Sequence, residues 1–191
     1  MIEASAAFPI RPPVARLLDG RGRGWRVAAV LVGAAVLALA SQASIPIGPV
    51  PLTLQTLALF VTAGVSGVRL TLEIVLVWLL GAGIGLPVLA GGEGGPEALI
   101  GPTAGFLAGM LIAAPLTGRT AERTCNWLQI AGAFLLGHLV ILALGWAWLA
   151  THAGVGRAFV AGVAPFIPGA VAKSLLAALI VQAVSRRADK S

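Results

Sequence analysis

The stretch Gly81–Gly109 reads GAGIGLPVLAGGEGGPEALIGPTAGFLAG, and its reading decides the fold. Each end lies in an apolar run of helical composition, but between Leu86 and Pro102 glycine and proline are too frequent for a helix. Irregular backbone sits at membrane depth only when it is buried in protein or lines a cavity, because lipid offers no partner for N–H and C=O groups. The stretch therefore predicts two apolar helices joined by a loop that folds over or into a helical bundle. That loop would present backbone donors and acceptors suited to a neutral polar ligand. It is not a soluble phosphate loop: no G-x-x-x-x-G-K-[ST] pattern occurs, and Gly81, Gly83 and Gly85 follow an apolar helix rather than a strand.

Outward from that stretch the chain is apolar throughout. Of 191 residues 58% are hydrophobic and 10% charged, with a mean hydropathy of +0.97, whereas soluble domains hold about a quarter charged residues. A chain this short cannot hide so much apolar surface in its own core, so lipid must be its solvent. Crossing a bilayer core takes ~20 helical residues. By that ruler the spans are Trp25–Ser41, Leu52–Gly67, Leu70–Val88, Thr103–Thr117, Trp127–Thr151 and Phe159–Ser185, the second and fourth being short. Arg11, Arg16, Arg21, Arg23 and Arg26 precede the first apolar run, and Arg69, Arg119, Arg123, Arg186, Arg187 and Lys190 follow the same alternation. Only Arg157 falls on the other side, a bias that fits six spans with both termini cytoplasmic and rejects five. The expected fold class is an all-α integral membrane protein of the plasma membrane, a bundle of six transmembrane helices. Residues 1–24 would form a disordered basic cytoplasmic leader, 25–187 the membrane domain and 188–191 a cytoplasmic tail. The net charge of +6 is split among short patches, which argues against a nucleic-acid partner.

Polar residues inside the apolar runs are the candidates for chemistry. Ser44-Ile-Pro-Ile-Gly-Pro-Val-Pro51 leads into Thr53, Gln55 and Thr56, which should point inward because polar groups facing lipid cost free energy. Interhelical hydrogen bonding and ligand contact both fit Gln55. Lys173, shortly after Pro165-Phe-Ile-Pro-Gly169, is a cation inside a span and is expected to face a ligand, with snorkelling toward the headgroups as the alternative. Trp78 sits mid-span, placed to pack against a neighbour or to stack on a ligand, whereas Trp25, Trp127, Trp146 and Trp148 sit where headgroups anchor aromatics. Glu73 lies four residues from Arg69, an ion-pair spacing. His138 and His152 have no companion at metal-ligand spacing, Cys125 is a lone thiol, and no nucleophile–base pair stands out; no metal, cofactor or catalytic residue is expected. Small residues four apart, Ala29 with Gly33, Ala34 with Ala38, and Gly101, Gly105, Gly109, allow close helix approach, within the bundle or against a partner.

Taken together, these segments resemble the BioY family, the biotin-binding S components of energy-coupling-factor (ECF) transporters. The matching residues are Pro51-Leu-Thr-Leu-Gln-Thr56, Gly85-Leu-Pro-Val-Leu-Ala-Gly-Gly92, Gly94-Gly95, Gly101-Pro-Thr-Ala-Gly-Phe106, and Pro165-Phe166, Gly169 and Lys173. The resemblance covers about residues 25 to 187. It implies a bundle of the ECF S-component type that encloses biotin near its outer face, with Lys173, Glu93, Gln55, Gly91, Gly92, Thr103 and Trp78 as candidate binding residues. It also implies uptake driven by two ATPases through a transmembrane T subunit that docks on Ala29, Gly33, Ala34 and Ala38, or action without that module. Two positions depart from the family pattern. Glu93 stands in the GG-x-GG position where the family has a basic residue, and Ala170 replaces the acid of G-D-x-x-K. The expectation is that Glu93 accepts the ureido N–H groups of biotin or pairs with Lys173; a shifted ligand preference is the alternative. An intramembrane enzyme would need paired acids or metal-spaced histidines, and an assembly subunit would need neither Lys173 nor so long an irregular loop.

Overall fold

A computed structural model describes residues 12–188. Eight helices run α1 (Pro13–Leu18), α2 (Arg23–Gln42), α3 (Gln55–Gly83), α4 (Pro96–Ile100), α5 (Ala104–Ala121), α6 (Trp127–Ala153), α7 (Val155–Gly162) and α8 (Ile167–Ala188), among the described residues. Short 3-10 turns occupy Ala90–Gly92 and Ala164–Phe166. A two-residue ladder pairs Ser44 with Thr53 and Ile45 with Leu52, antiparallel. It delays the second apolar helix from the expected Leu52 to Gln55.

The helix α3 is two passes rather than one. A straight helix would set Thr62 and Thr71 about 13 Å apart along its axis. Instead the Thr71 hydroxyl donates to the Thr62 carbonyl at 3.4 Å. The reversal occurs at Gly67, whose φ of 75° favours glycine. The break strips Val68 N–H of its helical acceptor, and Glu122 supplies one at 2.8 Å. Residues 55–66 and 68–83 therefore run in opposite directions, and with α2, α5, α6 and α8 the chain alternates between two ends of a bundle. Arg23–Gln42, Gln55–Gly83, Trp127–Ala153 and the unit Val155–Ala188 are each long and apolar enough to cross a membrane. In that last unit Pro165 and Pro168 interrupt what composition suggested as one span from Phe159.

Glycines set how closely the passes approach. A Cβ at Gly109 would lie 2.7 Å from Ile141 Cα, and one at Gly118 would lie 3.0 Å from Val68 N. The helix α5 is thereby sandwiched between α3 and α6, and Gly105 likewise abuts Leu144 and Gly145. Phe60 and Phe134 stack at 5.1 Å in the centre of the core, both fully buried. The outside stays apolar, as lipid requires: Leu31, Leu39, Leu80, Leu139 and Leu179 are exposed. The protein is a multi-pass membrane protein.

Ala29, Ala34 and Ala38, partly buried, pack against the core, and a Cβ on Gly33 would run into Ile74, so this stripe of α2 contributes to internal packing. The open side of α2 carries Val27, Leu31, Val32, Val36 and Leu39. Two expectations are corrected by the structure. Glu73 pairs with Arg26 of α2, accepting from Nε at 2.9 Å and Nη2 at 2.5 Å, rather than with Arg69. The leader, expected to be disordered through residue 24, is helical over Pro13–Leu18 and buries Pro13 against the bundle. Residues 1–11 of the expected leader and 189–191 of the expected tail lie outside the described residues.

Candidate functional site

The glycine-rich stretch is held over one end of the bundle by groups from three helices. Gln42 of α2 donates to the Leu89 carbonyl at 2.9 Å and to Pro87 at 3.3 Å. The Trp78 indole donates to Val88 at 3.0 Å, and the Trp148 indole to Gly101 at 2.9 Å. Gly95 N–H reaches back to Ala82 at 2.7 Å. Four positive φ values, at Gly85, Gly91, Gly92 and Gly95, let the backbone fold tightly enough for this. Gly94 rests so close to the Leu86 carbonyl that no side chain fits.

Beneath this roof lies a cavity of about 610 Å³, within the range of small-molecule sites. Its walls are apolar: Phe106 and Met110 from α5, Ile141 and Leu142 from α6, and Phe166 from the 3-10 turn. Gly92, Glu93, Gly94 and Glu97 line it from the loop, the two glutamates being exposed at its rim. Thr103 lines it where α5 begins. Deeper in sit Gln55, Thr56, His138 and Lys173.

Lys173 points inward. Its half-buried ammonium donates to the Thr53 carbonyl at 3.2 Å, so it braces the Ser44–Thr53 link and does not snorkel to the headgroups. Ala170, one turn earlier, puts a methyl on the same wall. Among the described residues no carboxylate lies within ion-pair distance of Lys173, so the expected Glu93–Lys173 pair does not form. Glu93 nevertheless faces the same void.

Gln55 makes the interhelical hydrogen bond considered for it and also lines the cavity. Its amide nitrogen donates to Ser41 at 2.8 Å, Ser41 donates to Leu37, and Thr53 donates to Gln55 Oε1 at 3.1 Å. This chain ties α2 to α3 and fixes the amide edge that borders the cavity. Trp78, by contrast, does not line the void; it is buried and anchors the loop. Gly91 does not line it either, although Ala90 and Gly92 beside it do.

The residues that sequence reasoning passed over are His138 and Glu97. His138 is buried, with Nδ1 2.8 Å from Ser174 Oγ and Nε2 3.1 Å from Thr56 Oγ1, and its ring meets the edge of Phe60. A neutral imidazole has one donor and one acceptor, and hydroxyls can serve either, so the ring is fully satisfied. The available signal was a lone histidine in mid-span, since polar groups at that depth face the interior. Among the described residues no cluster of three or more His, Cys, Asp or Glu could hold a metal ion.

Residues 18–190 match the profile of the BioY family. The chain belongs to the BioY family. A biotin transporter BioY from Rhizobium etli is 41% identical over 171 residues, covering 83% of this chain and 91% of the relative. A probable biotin transporter BioY from Pyrococcus horikoshii is 35% identical, covering 82% and 93%. Among solved structures, the crystal structure of the S-component for biotin from an ECF-type ABC transporter superposes with a TM-score of 0.76 at 27% identity, over 86% of this chain and 92% of that one. The fold is thus the all-α fold of ECF S components. Glu93 at the rim and Ala170, one turn before Lys173, both border the cavity.

Proposed function

We propose that this chain is the substrate-capture subunit of a biotin uptake transporter. The observation that carries this is Lys173, a cation turned into an apolar-walled cavity that a glycine-rich loop roofs over. Biotin has a ureido ring, an apolar bicycle with its tail, and a carboxylate. Lys173 supplies a charge-assisted donor, the phenylalanines and Met110 supply apolar walls, and Glu93 supplies an acceptor for ureido N–H groups. The likeness to a solved biotin S-component supports the same reading.

The passes described above would cross the plasma membrane six times, with the arginine-rich end and both termini cytoplasmic and the cavity opening outward. Release inward would be driven by two ATPases through a transmembrane T subunit, or would proceed without a dedicated module. The role proposed is binding and transport, in keeping with the names of the relatives, which are biotin transporters.

Equilibrium binding of labelled biotin to the purified, detergent-solubilised chain tests the proposal. Nanomolar retention supports it; a folded preparation that retains none overturns it. A second reading, a related small ligand in place of free biotin, is favoured by the two acids at the rim and the missing acid at Ala170. Glu93→Gln separates the two. Weaker biotin binding supports the acceptor role, and unchanged binding removes it.

A further inference from the structure

The ring of His138 on α6 stands between two hydroxyls, Ser174 of α8 at Nδ1 (2.8 Å) and Thr56 of α3 at Nε2 (3.1 Å). The two hydroxyls differ in what lies beyond them. Ser174 is fully buried and does not line the cavity, whereas Thr56 is half-buried and lines it together with the ring. Lys173 borders the same space, and its ammonium reaches the carbonyl of Thr53, just before Thr56 in the chain.

A neutral imidazole shares one proton between two nitrogens, so one donates and the other accepts. The buried side decides which. A hydroxyl on a helix can donate to the carbonyl one turn back, as Ser41 does to Leu37 and Thr117 to Ala113. Ser174 makes no such bond among the described residues; its hydroxyl meets Nδ1 instead. With the proton on Nδ1, that buried O–H would have no acceptor, which is costly. An Nδ1–H drawn to the Phe134 carbonyl, one turn back on α6, is the competing arrangement, and it strands the same O–H. Ser174 therefore donates to Nδ1, Nε2–H donates to Thr56 Oγ1, and the Thr56 proton is left for the cavity. We propose that the Thr56 hydroxyl is a ligand-contacting donor and that His138 is the positioning residue that fixes it as one. The group it meets is an acceptor oxygen beside Lys173. On the reading of the chain as a biotin-capture subunit, on which this proposal rests, that group is the carboxylate.

Two measurements test it. The full chain in detergent, with nitrogen-15 in its imidazoles, is read by NMR without ligand, and His152→Gln removes the chain's other histidine. A proton on Nε2 is expected; a proton on Nδ1 overturns the proposal, independently of whether biotin binds. Binding is then compared for biotin and for biotinol, in which an alcohol replaces the carboxylate. Thr56→Val should weaken biotin roughly ten- to a hundredfold and biotinol only about threefold, because a hydrogen bond to a charged acceptor is the stronger one. Thr56→Ser keeps the hydroxyl and should bind both ligands nearly as the parent does. Equal losses of the two ligands in Thr56→Val overturn the proposal, since a loosened fold weakens both alike. A parent chain that retains neither ligand overturns the biotin reading itself and the carboxylate contact with it, whichever nitrogen holds the proton.

Discussion

The chain reverses direction twice around α3, and the two reversals have opposite designs. At Gly67 it turns in a single residue, and the turn is filled: the Glu122 carboxylate takes the freed Val68 N–H, and a Cβ on Gly67 would meet that carboxylate and the Pro12 ring. Between Gly83 and Ala104 it turns through about twenty residues, with the loop backbone tied down by Gln42, Trp78 and Trp148 while its inner side faces a void. Both reversals rest on glycines at positive φ. What separates a packing device from a site is therefore not glycine content. It is whether the protein's own side chains take up the freed polar groups or leave some turned toward open space.

The largest expected effect falls on the open reversal. Lys173→Met keeps the length and apolar stem while removing the charged donor. A hydrogen bond to a charged group contributes about 1.5–3 kcal/mol, so biotin affinity should fall roughly ten- to a hundredfold. The thermal midpoint should change little, because the lysine's one described protein partner is a carbonyl at the cavity edge. A variant that binds as tightly as the parent would remove Lys173 from the site.

The closed reversal predicts the converse, lost stability with retained binding. Glu122→Ala deprives Val68 N–H of its acceptor and should cost about 1–3 kcal/mol, whereas Glu122→Gln keeps an oxygen in place and should cost less. Gly67→Ala should cost about 1–2 kcal/mol from the left-handed backbone alone, and more from the clash with Glu122. Thermal melting alongside biotin titration reads both quantities. If either substitution weakened binding as much as it weakened the fold, the two reversals would be coupled and the comparison would fail.

The fold was largely legible in the sequence because lipid imposes simple demands. Apolar runs and the glycine-rich interruption mark the helices and the loop, and a lone cation within an apolar run marks Lys173 as a residue that turns inward. What stayed hidden depended on rotation about helix axes. The stripe Ala29, Gly33, Ala34, Ala38 has the spacing for close approach, but spacing does not say to whom, and the structure turns it inward onto Ile74 and the core. Arg26 and Glu73 are far apart in sequence, so the nearer Arg69 looked the better partner. His138 was passed over because a single histidine satisfied by two hydroxyls leaves no spacing pattern, although it borders the cavity.

Trp78 carries the smallest and most discriminating test, because the structure moves it from ligand contact to loop support. Trp78→Phe retains an aromatic ring in the core but removes the N–H that holds Val88. A neutral hydrogen bond of this kind contributes about 0.5–1.5 kcal/mol, and Gln42 and Trp148 would still hold the loop. The loss should appear as a ligand that leaves a few-fold faster while entering at an unchanged rate, since a looser roof opens more often. Direct stacking would give a different result. Replacing indole by phenyl would then alter the ligand's contacts themselves, and the affinities of biotin analogues differing in the bicycle would shift unequally. A uniform rise in off-rate across such analogues is expected, and a rank change among them would return Trp78 to the cavity wall.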